Sequence, residues 1–477
     1  MDKSKSKNSN IVFIMPFFVG VVCMFSIAGW LAAIITLVIL YFIHTLFLAD
    51  HLYYSVKTDY QFNFKNSFEV AFELKDDAIF FNENFSNRID TCFLPLKIQA
   101  KWIGYFLDPY IEITIDAVSR RQYFERGANG TRYINISPYL SSLPNNNQLA
   151  IRFFACEGTS ISKHAIAFNN EQLKDKSVLI ISPHADDAEL AAFGFYKNQK
   201  NVSIATITAG ESEADRYFSI TKSKSEAGIL KGKLRAWDSI VVPKWAGKHI
   251  QAINLGYACS SLKEMFLHQK SIIKSRITDE SNTNLYRQFN DCLLPTSNNP
   301  VNQWGNLVQD LVYLLERDKP QIVITPHPLL DSHSDHQYST RAVLEACDQI
   351  EITPTFLCYA NHYQTTDQYP FGPEHTDIPL PPHFSSEKIA DSILSYELSK
   401  ADQIDKICAL QMMHDLQRPI KLKRKIRVYL QQLIGRSSYP YGQDEYFRKA
   451  IRTQEIFWVM QINDLWDLTN DLSAANR

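Results

Sequence analysis

Ser177–Leu190 reads SVLIISPHADDAEL. Its first half is apolar at odd and even positions alike, so no face is left for water. That is the pattern of a parallel strand covered on both sides. Its second half sets His184, Asp186 and Asp187 directly at the strand end. Outward from it, NVSIATITAG (201–210), DSIVVPK (238–244), PQIVITPHP (320–328) and PTFLCYANH (354–362) repeat the apolar texture. Between them RYFSITKSKSEAGILKGK (216–233), SSLKEMFLHQKSIIKSRI (260–277) and WGNLVQDLVYLLERDK (304–319) carry helical periodicity. Strands alternating with helices imply an open α/β sheet covered on both faces, with ligands at the carboxyl ends of its strands. A packing account of the acids also exists, as an N-cap pair for the helix AELAAFGFYK (188–197).

A second strand end weighs against packing alone. QIVITPHP carries His327 and runs into LLDSHSDHQ (329–337), which supplies Asp331, His333, Asp335 and His336. A hydrolytic zinc ion takes three His or Asp/Glu ligands and keeps one position open to water, whose pKa it lowers from about 15.7 to about 7. A carboxylate outside the ligand set must accept the proton, and a donor must meet the oxyanion. His184, Asp187 and His336 are the candidate metal ligands. Asp186 is the candidate base, and His333 the group that acts on the oxyanion and the leaving amine. Two histidines and one carboxylate also describe a ferrous site, so iron(II) stands as the alternative to zinc.

PHADD followed by HSDH resembles the PIG-L/LmbE-like zinc-dependent N-deacetylases, whose signatures read roughly A-H-P-D-D-E and H-P-D-H. The likeness extends from about Lys174 to Val459, with TITAGE, INLGY and DEYFRKAIRTQEIFWV as supporting pieces. It implies His184, Asp187 and His336 as metal ligands and Asp186 as general base. His333 is implied as the residue that stabilises the intermediate and protonates the amine, with Asp335 as the acid that tunes it. Arg452 matches an arginine of the closing segment whose role is open. The chain departs from the pattern at Ala185, at Ala188-Glu189 and at Ser334, and Ala258-Cys259 stand where an acid often follows LGY. His327, His362 and His375 are further candidates for substrate contact, and YPFGPEH (369–375) for a covering loop. His414 reads as structural.

Upstream, Tyr60 to about Asn170 alternates apolar and polar residues at period two, in SFEVAFELK, PYIEITIDA, RYINISPYL and QLAIRFFACEG. Asn129-Gly130 within RGANGTRY reads as a hairpin turn. A small sandwich is expected, as a packing unit or a glycan-binding module. Ile11–Leu48 is uncharged and largely apolar. As one helix it would run roughly 57 Å against a hydrocarbon core of about 30 Å, so two spans are expected, 11–28 and 31–48. Lys3, Lys5 and Lys7 favour a cytoplasmic N-terminus; a single tilted span is the alternative. Arg418–Arg436 holds seven basic residues and no acid, a solvated helix face or a contact for anionic headgroups.

Composition adds limits. With 477 residues, two or three domains are expected, and a net charge of −2 gives no global pull toward nucleic acid, so none is expected as partner. The eight cysteines form no C-x-x-C pair, which suits reduced thiols, with paired disulfides left open.

The expected fold class is α/β: a Rossmann-like open, mostly parallel sheet, preceded by a small β-sandwich-like domain and an N-terminal transmembrane helical hairpin. The expected organisation is a cytoplasmic tail (1–10), a transmembrane segment (11–48), a β-rich domain (60–170) and a deacetylase-like domain with a basic helical end (174–477). The expected function is metal-dependent removal of an N-acetyl group from an amino sugar, lipid-linked or part of an envelope glycan. The expected location is the inner (plasma) membrane with the catalytic part cytoplasmic, and membrane lipids count among the partners. The competing class is a non-catalytic, membrane-bound glycan-binding or scaffold protein.

Overall fold

The computed structural model describes residues 29–43, 52–81, 89–116, 118–143, 147–247, 249–417, 422–433 and 445–475. Its central sheet has seven strands, in the order Ile250–Tyr257, Asn201–Thr208, Ser177–Ser182, Ile322–Pro326, Thr355–Tyr359, Gln454–Met460 and Ser392–Glu397. The first five are parallel. The last two pair antiparallel at one edge, so the sheet is mixed.

Both faces are buried. Leu179, Ile181, Ala205 and Val323 join one core with Leu307, Leu311 and Ala342 from the helices Trp304–Asp318 and Ser334–Gln349. Val178, Ile180, Val202 and Ile324 join the other with Ala188, Ala192 and Phe193 from the helix Asp187–Lys197. Each such Val, Leu or Ile stabilises the fold by about 1.5–3 kcal/mol, which is why these strands lack a polar face. Ser177–Ser182 lies between Asn201–Thr208 and Ile322–Pro326. It is therefore the switch point of the sheet, with a crevice at its carboxyl end.

Two local expectations are corrected. DSIVVPK is not a strand: Asp238–Val241 closes the helix Lys224–Val241, and the edge strand is Ile250–Tyr257. A short apolar run suits a buried helix end and a buried strand equally. Of the helix expected over 260–277, only Leu262–Leu267 is helical.

The β-rich part is also corrected. It is one continuous nine-stranded sheet, antiparallel throughout, rather than two separate sheets of a sandwich. The strand Phe68–Lys75 pairs with His164–Phe168 through its first half and with Ala78–Phe81 through its second. The sheet thus folds over a shared core of Phe72, Leu94, Ile111, Ile134 and Ile151, close to a barrel. Alternation says that one face is buried; it does not say whether another sheet or the same sheet covers it. Asn129-Gly130 lies inside the strand Asn129–Asn135, and the bend falls at Gly127, where φ is +74°. Gly130 serves a close approach instead, since a Cβ there would stand 2.9 Å from Asp59 Oδ1.

The two sheets are joined by Asn135 Nδ2 donating to Ser395 Oγ at 2.8 Å and by Asn170 Nδ2 donating to Ile393 O at 2.9 Å, and Asn63–Phe64 pairs with Lys388–Ala390 as a separate two-stranded sheet.

The transmembrane hairpin and the membrane location are corrected. The first expected span, 11–28, lies outside the described residues. Residues 29–43 are helical, and the remainder of the second expected span, 44–48, also lies outside the described residues. No helix among the described residues is long and apolar enough to cross a membrane. Hydropathy reports a transfer preference, not the length over which one helix sustains it. The headgroup contact and the lipid-linked substrate rested on that anchor and lose their basis with it. All seven described cysteines are free, and Cys23 lies outside the described residues.

Candidate active site

Pro183 ends the switch-point strand, and its carbonyl accepts hydrogen bonds from Thr208 N (3.0 Å) and Thr208 Oγ1 (2.9 Å). This pins the loop to the neighbouring strand. His184 N then donates to Asp187 Oδ2 at 2.9 Å, which turns both side chains toward one point. Asp186 occupies the N-cap position but makes no capping bond. The N-cap account of this acid pair therefore fails. His336 enters from the first turn of the helix Ser334–Gln349.

His184 Nδ1 lies 3.1 Å from Asp187 Oδ2, His336 Nε2 lies 3.1 Å from the same oxygen, and the two nitrogens are 3.2 Å apart. Three donors on a tetrahedral zinc with bonds of about 2.0–2.1 Å would stand about 3.3–3.4 Å apart. Two imidazole nitrogens facing each other beside a carboxylate call for a cation between them, and the donor set fits a divalent metal. His333 joins His184 and His336 in one group of possible metal-holding side chains, and His362 joins Asp187 and His336 in another.

Electrostatics agree. Burial alone would raise the Asp187 carboxyl, yet His336 and His184 hold it well below the usual range. Burial likewise disfavours charge on His336, but Asp187 and Asp331 push it up to about 10. His184 is raised well above its ordinary value by Asp187 and Asp335 against the same penalty. The pocket demands positive charge.

Carboxylates stand behind both imidazoles. His336 Nδ1 lies 2.9 Å from Asp331 Oδ2, and Asp331 also accepts from His333 N (3.0 Å) and Asn361 N (2.9 Å). His184 Nε2 lies 3.4 Å from Asp335 Oδ2. Asp335 was expected to tune His333, but its carboxylate meets His184 instead. Its contact with His333 is through the backbone, Asp335 N donating to His333 Nδ1 at 3.2 Å. Asp331 had no assigned role in the sequence. Replacing it with asparagine is expected to weaken metal binding about 10–100-fold, as loss of such orienting partners does; competition with a chelator measures this.

Asp186 Oδ1 lies 3.1 Å from Arg235 Nη2, while Arg235 Nη1 bonds Asp415 and Lys231 Nζ stands 3.1 Å from Asp415 Oδ2. The candidate base is thus tethered through Arg235 to the segment after the helix Lys400–Met412. Arg235 and Asn361 carried no motif signal, and Asp331 and Tyr446 lay within quoted segments without a role of their own. Asn361 Nδ2 donates to Asp187 Oδ1 at 2.8 Å, and Tyr446 Oη lies 3.3 Å from His362 Nδ1. His362 packs 4.9 Å from His336 and 5.4 Å from His333, ring centre to ring centre. A cavity of about 80 Å³ opens beside them, lined in part by Asn361, Tyr363, Tyr369, Tyr446 and Lys449.

Other candidates fall elsewhere. Arg452 donates to the carbonyls of Pro370, Phe371 and Gly372, which clamps the expected covering loop in place. His375 bonds Gln403, and His414 bonds Asp238, each at 2.6 Å. Glu189 faces Tyr196 in the core, where burial raises its carboxyl to about 8.

His327 is fully buried: its Nδ1 accepts from Leu329 N and Leu330 N, and its Nε2 lies 3.2 Å from Ile389 O. Burial lowers its pKa to about 4. The unfolded chain therefore takes up this proton before the folded one does, and stability falls as pH drops from about 6.5 to 4. The cost is about 3 kcal/mol at full effect. His327→Gln should flatten the decline of the thermal midpoint between pH 6.5 and 4; an unchanged slope would contradict it.

Residues 179–347 match the protein family described as PIG-L: GlcNAc-PI de-N-acetylase. The six candidate site residues of the two motifs, His184, Asp186, Asp187, His333, Asp335 and His336, lie within the matched segment. Among solved structures, a triple-mutant deacetylase of the teicoplanin biosynthetic pathway is 14% identical with a TM-score of 0.32, over 60% of this chain and 98% of that one. The A40926 pseudoaglycone deacetylase Dbv21 is 17% identical with a TM-score of 0.31, over 60% and 98%. GalB, a 4-carboxy-2-hydroxymuconate hydratase from Pseudomonas putida KT2440, is 12% identical with a TM-score of 0.32, over 60% and 95%. No curated protein matches the chain.

Proposed function

We propose that the chain is a metal-dependent amide hydrolase that removes an N-acetyl group from an amino sugar. The observation that carries this is the triangle of His184, Asp187 and His336, with Asp186 next in sequence and outside it. The PIG-L match supports the acetamido sugar as substrate.

A zinc ion held by these three residues would supply Lewis acidity toward the amide carbonyl and make water acidic enough to attack at neutral pH. Asp186 takes the proton of the attacking water at its carboxylate. His333 Nδ1 already accepts a backbone hydrogen bond, so the ring holds its single proton at Nε2. Burial, with His184 and His336 nearby, pushes it down to about 4, which agrees with a neutral ring. A neutral ring donates a hydrogen bond to the oxyanion but is no cationic acid. Delivery of the proton to the departing nitrogen is therefore assigned to Asp186, not to His333 as the family resemblance implied. The C–N bond breaks, and acetate and an amine leave. Asp331 and Asp335 hold the two imidazoles in register throughout.

The test is acetate release from a panel of N-acetylated amino sugars by zinc-loaded and chelator-treated protein. Metal-dependent release is expected. No release from any member, or full activity without metal, would remove the proposal.

A further inference from the structure

A second donor set meets on the far side of His184, away from Asp187 and His336. His184, Asp335 and Cys259 each offer a possible ligand atom, all within 4.8 Å of one another, and His184 Nε2 lies 3.4 Å from Asp335 Oδ2. The loop carrying the thiol is tied down around that point. Both oxygens of the buried Glu211 carboxylate accept from Cys259 N at 3.1 Å. Asp335 accepts from Ser260 N at 2.6 Å and from Leu262 N at 3.3 Å, and Ser260 takes a left-handed φ of 59°. Cys259 is half-buried, whereas Cys92, Cys347 and Cys358 are sealed in the core. Its thiol is therefore within reach of solvent and of the donors behind it.

We propose that Cys259, Asp335 and the Nε2 edge of His184 form a second metal site, selective for thiophilic divalent ions such as Zn²⁺ or Cd²⁺. It rests on the reading of His184 as a ligand of the first ion through Nδ1. A thiolate, an imidazole nitrogen and a carboxylate suit such ions, while Mg²⁺ and Ca²⁺ prefer all-oxygen sites. Occupation releases the thiol proton of Cys259 and the Nε2 proton of His184, so the ring is shared between two ions. Asp335 then serves the second ion instead of steadying His184. Excess soft metal at this site therefore acts on the first through one shared side chain.

Full-length metal-free protein titrated with Cd²⁺ tests this, with bound metal counted after dialysis. Cd–thiolate absorbance and labelling of Cys259 by a thiol reagent are followed alongside. The wild type should take two equivalents at these sites, develop the charge-transfer absorbance and lose Cys259 labelling. Cys259→Ser and Cys259→Ala, checked for an unchanged thermal transition, should each take one equivalent and lack the part of the absorbance due to Cys259. His336→Ala should lose the other equivalent and keep the absorbance. Cys259 labelled equally with and without Cd²⁺, or Cys259 variants that bind as much as the wild type, overturns the second site. Full loading of His336→Ala would instead count against the first.

Discussion

Asp186→Ala should keep its metal and lose about a hundredfold to ten-thousandfold in kcat, the usual share of a positioned general base. The side chain caps no helix, so its removal leaves the helix Asp187–Lys197 intact. Its partner Arg235 retains Asp415, so no buried cation is stranded. None of the three triangle distances involves Asp186, so metal content should match the wild type. A loss confined to kcat, with KM nearly unchanged, marks a group that acts only in the transition state. Asp186→Asn, which keeps the shape but cannot accept the proton, should fall equally far. Two results would contradict the assignment. Loss of metal would make Asp186 a ligand, and undiminished turnover would return the scaffold reading to the front.

Lys406→Met should destabilise the protein by about 3–5 kcal/mol, because it strips the partner from a buried charge. Lys406 Nζ lies 2.8 Å from Glu455 Oε1, and both side chains are almost fully buried. Glu455 also accepts from Gly194 N (2.9 Å) and Phe195 N (2.8 Å), which ties the strand Gln454–Met460 to the site helix. The carboxylate would keep those two bonds but not its counter-charge. Adding Glu455→Gln removes the stranded charge and keeps an acceptor for the backbone, so the double variant should regain most of the loss. The denaturant midpoint reads both. A single variant as stable as the wild type would show that solvent from the adjoining cavity screens the pair.

How much was legible in the sequence depends on the range over which each signal acts. SVLIISP and QIVITPHP read correctly as strands because apolar residues on both faces admit few other local solutions. DSIVVPK read wrongly because three apolar residues suit a helix end as well. Asp186, Asp187, His333, Asp335 and His336 stood out as costly groups placed where a sheet opens. Arg235, Asn361 and Tyr446 did not, since each reaches the site from a distant part of the chain and carries no spacing of its own.

Local pattern and composition by themselves determined the α/β alternation, the strand ends that bear the chemistry, and the period-two texture of the β-rich part. Only the tertiary structure decided that His184, Asp187 and His336 meet at one point, that Asp335 steadies His184, and that the β-rich part is one folded-over sheet. It also withdrew the membrane hairpin. The reason is that periodicity records which face of an element is buried, whereas the identity of the covering partner is set by long-range packing that no short window contains.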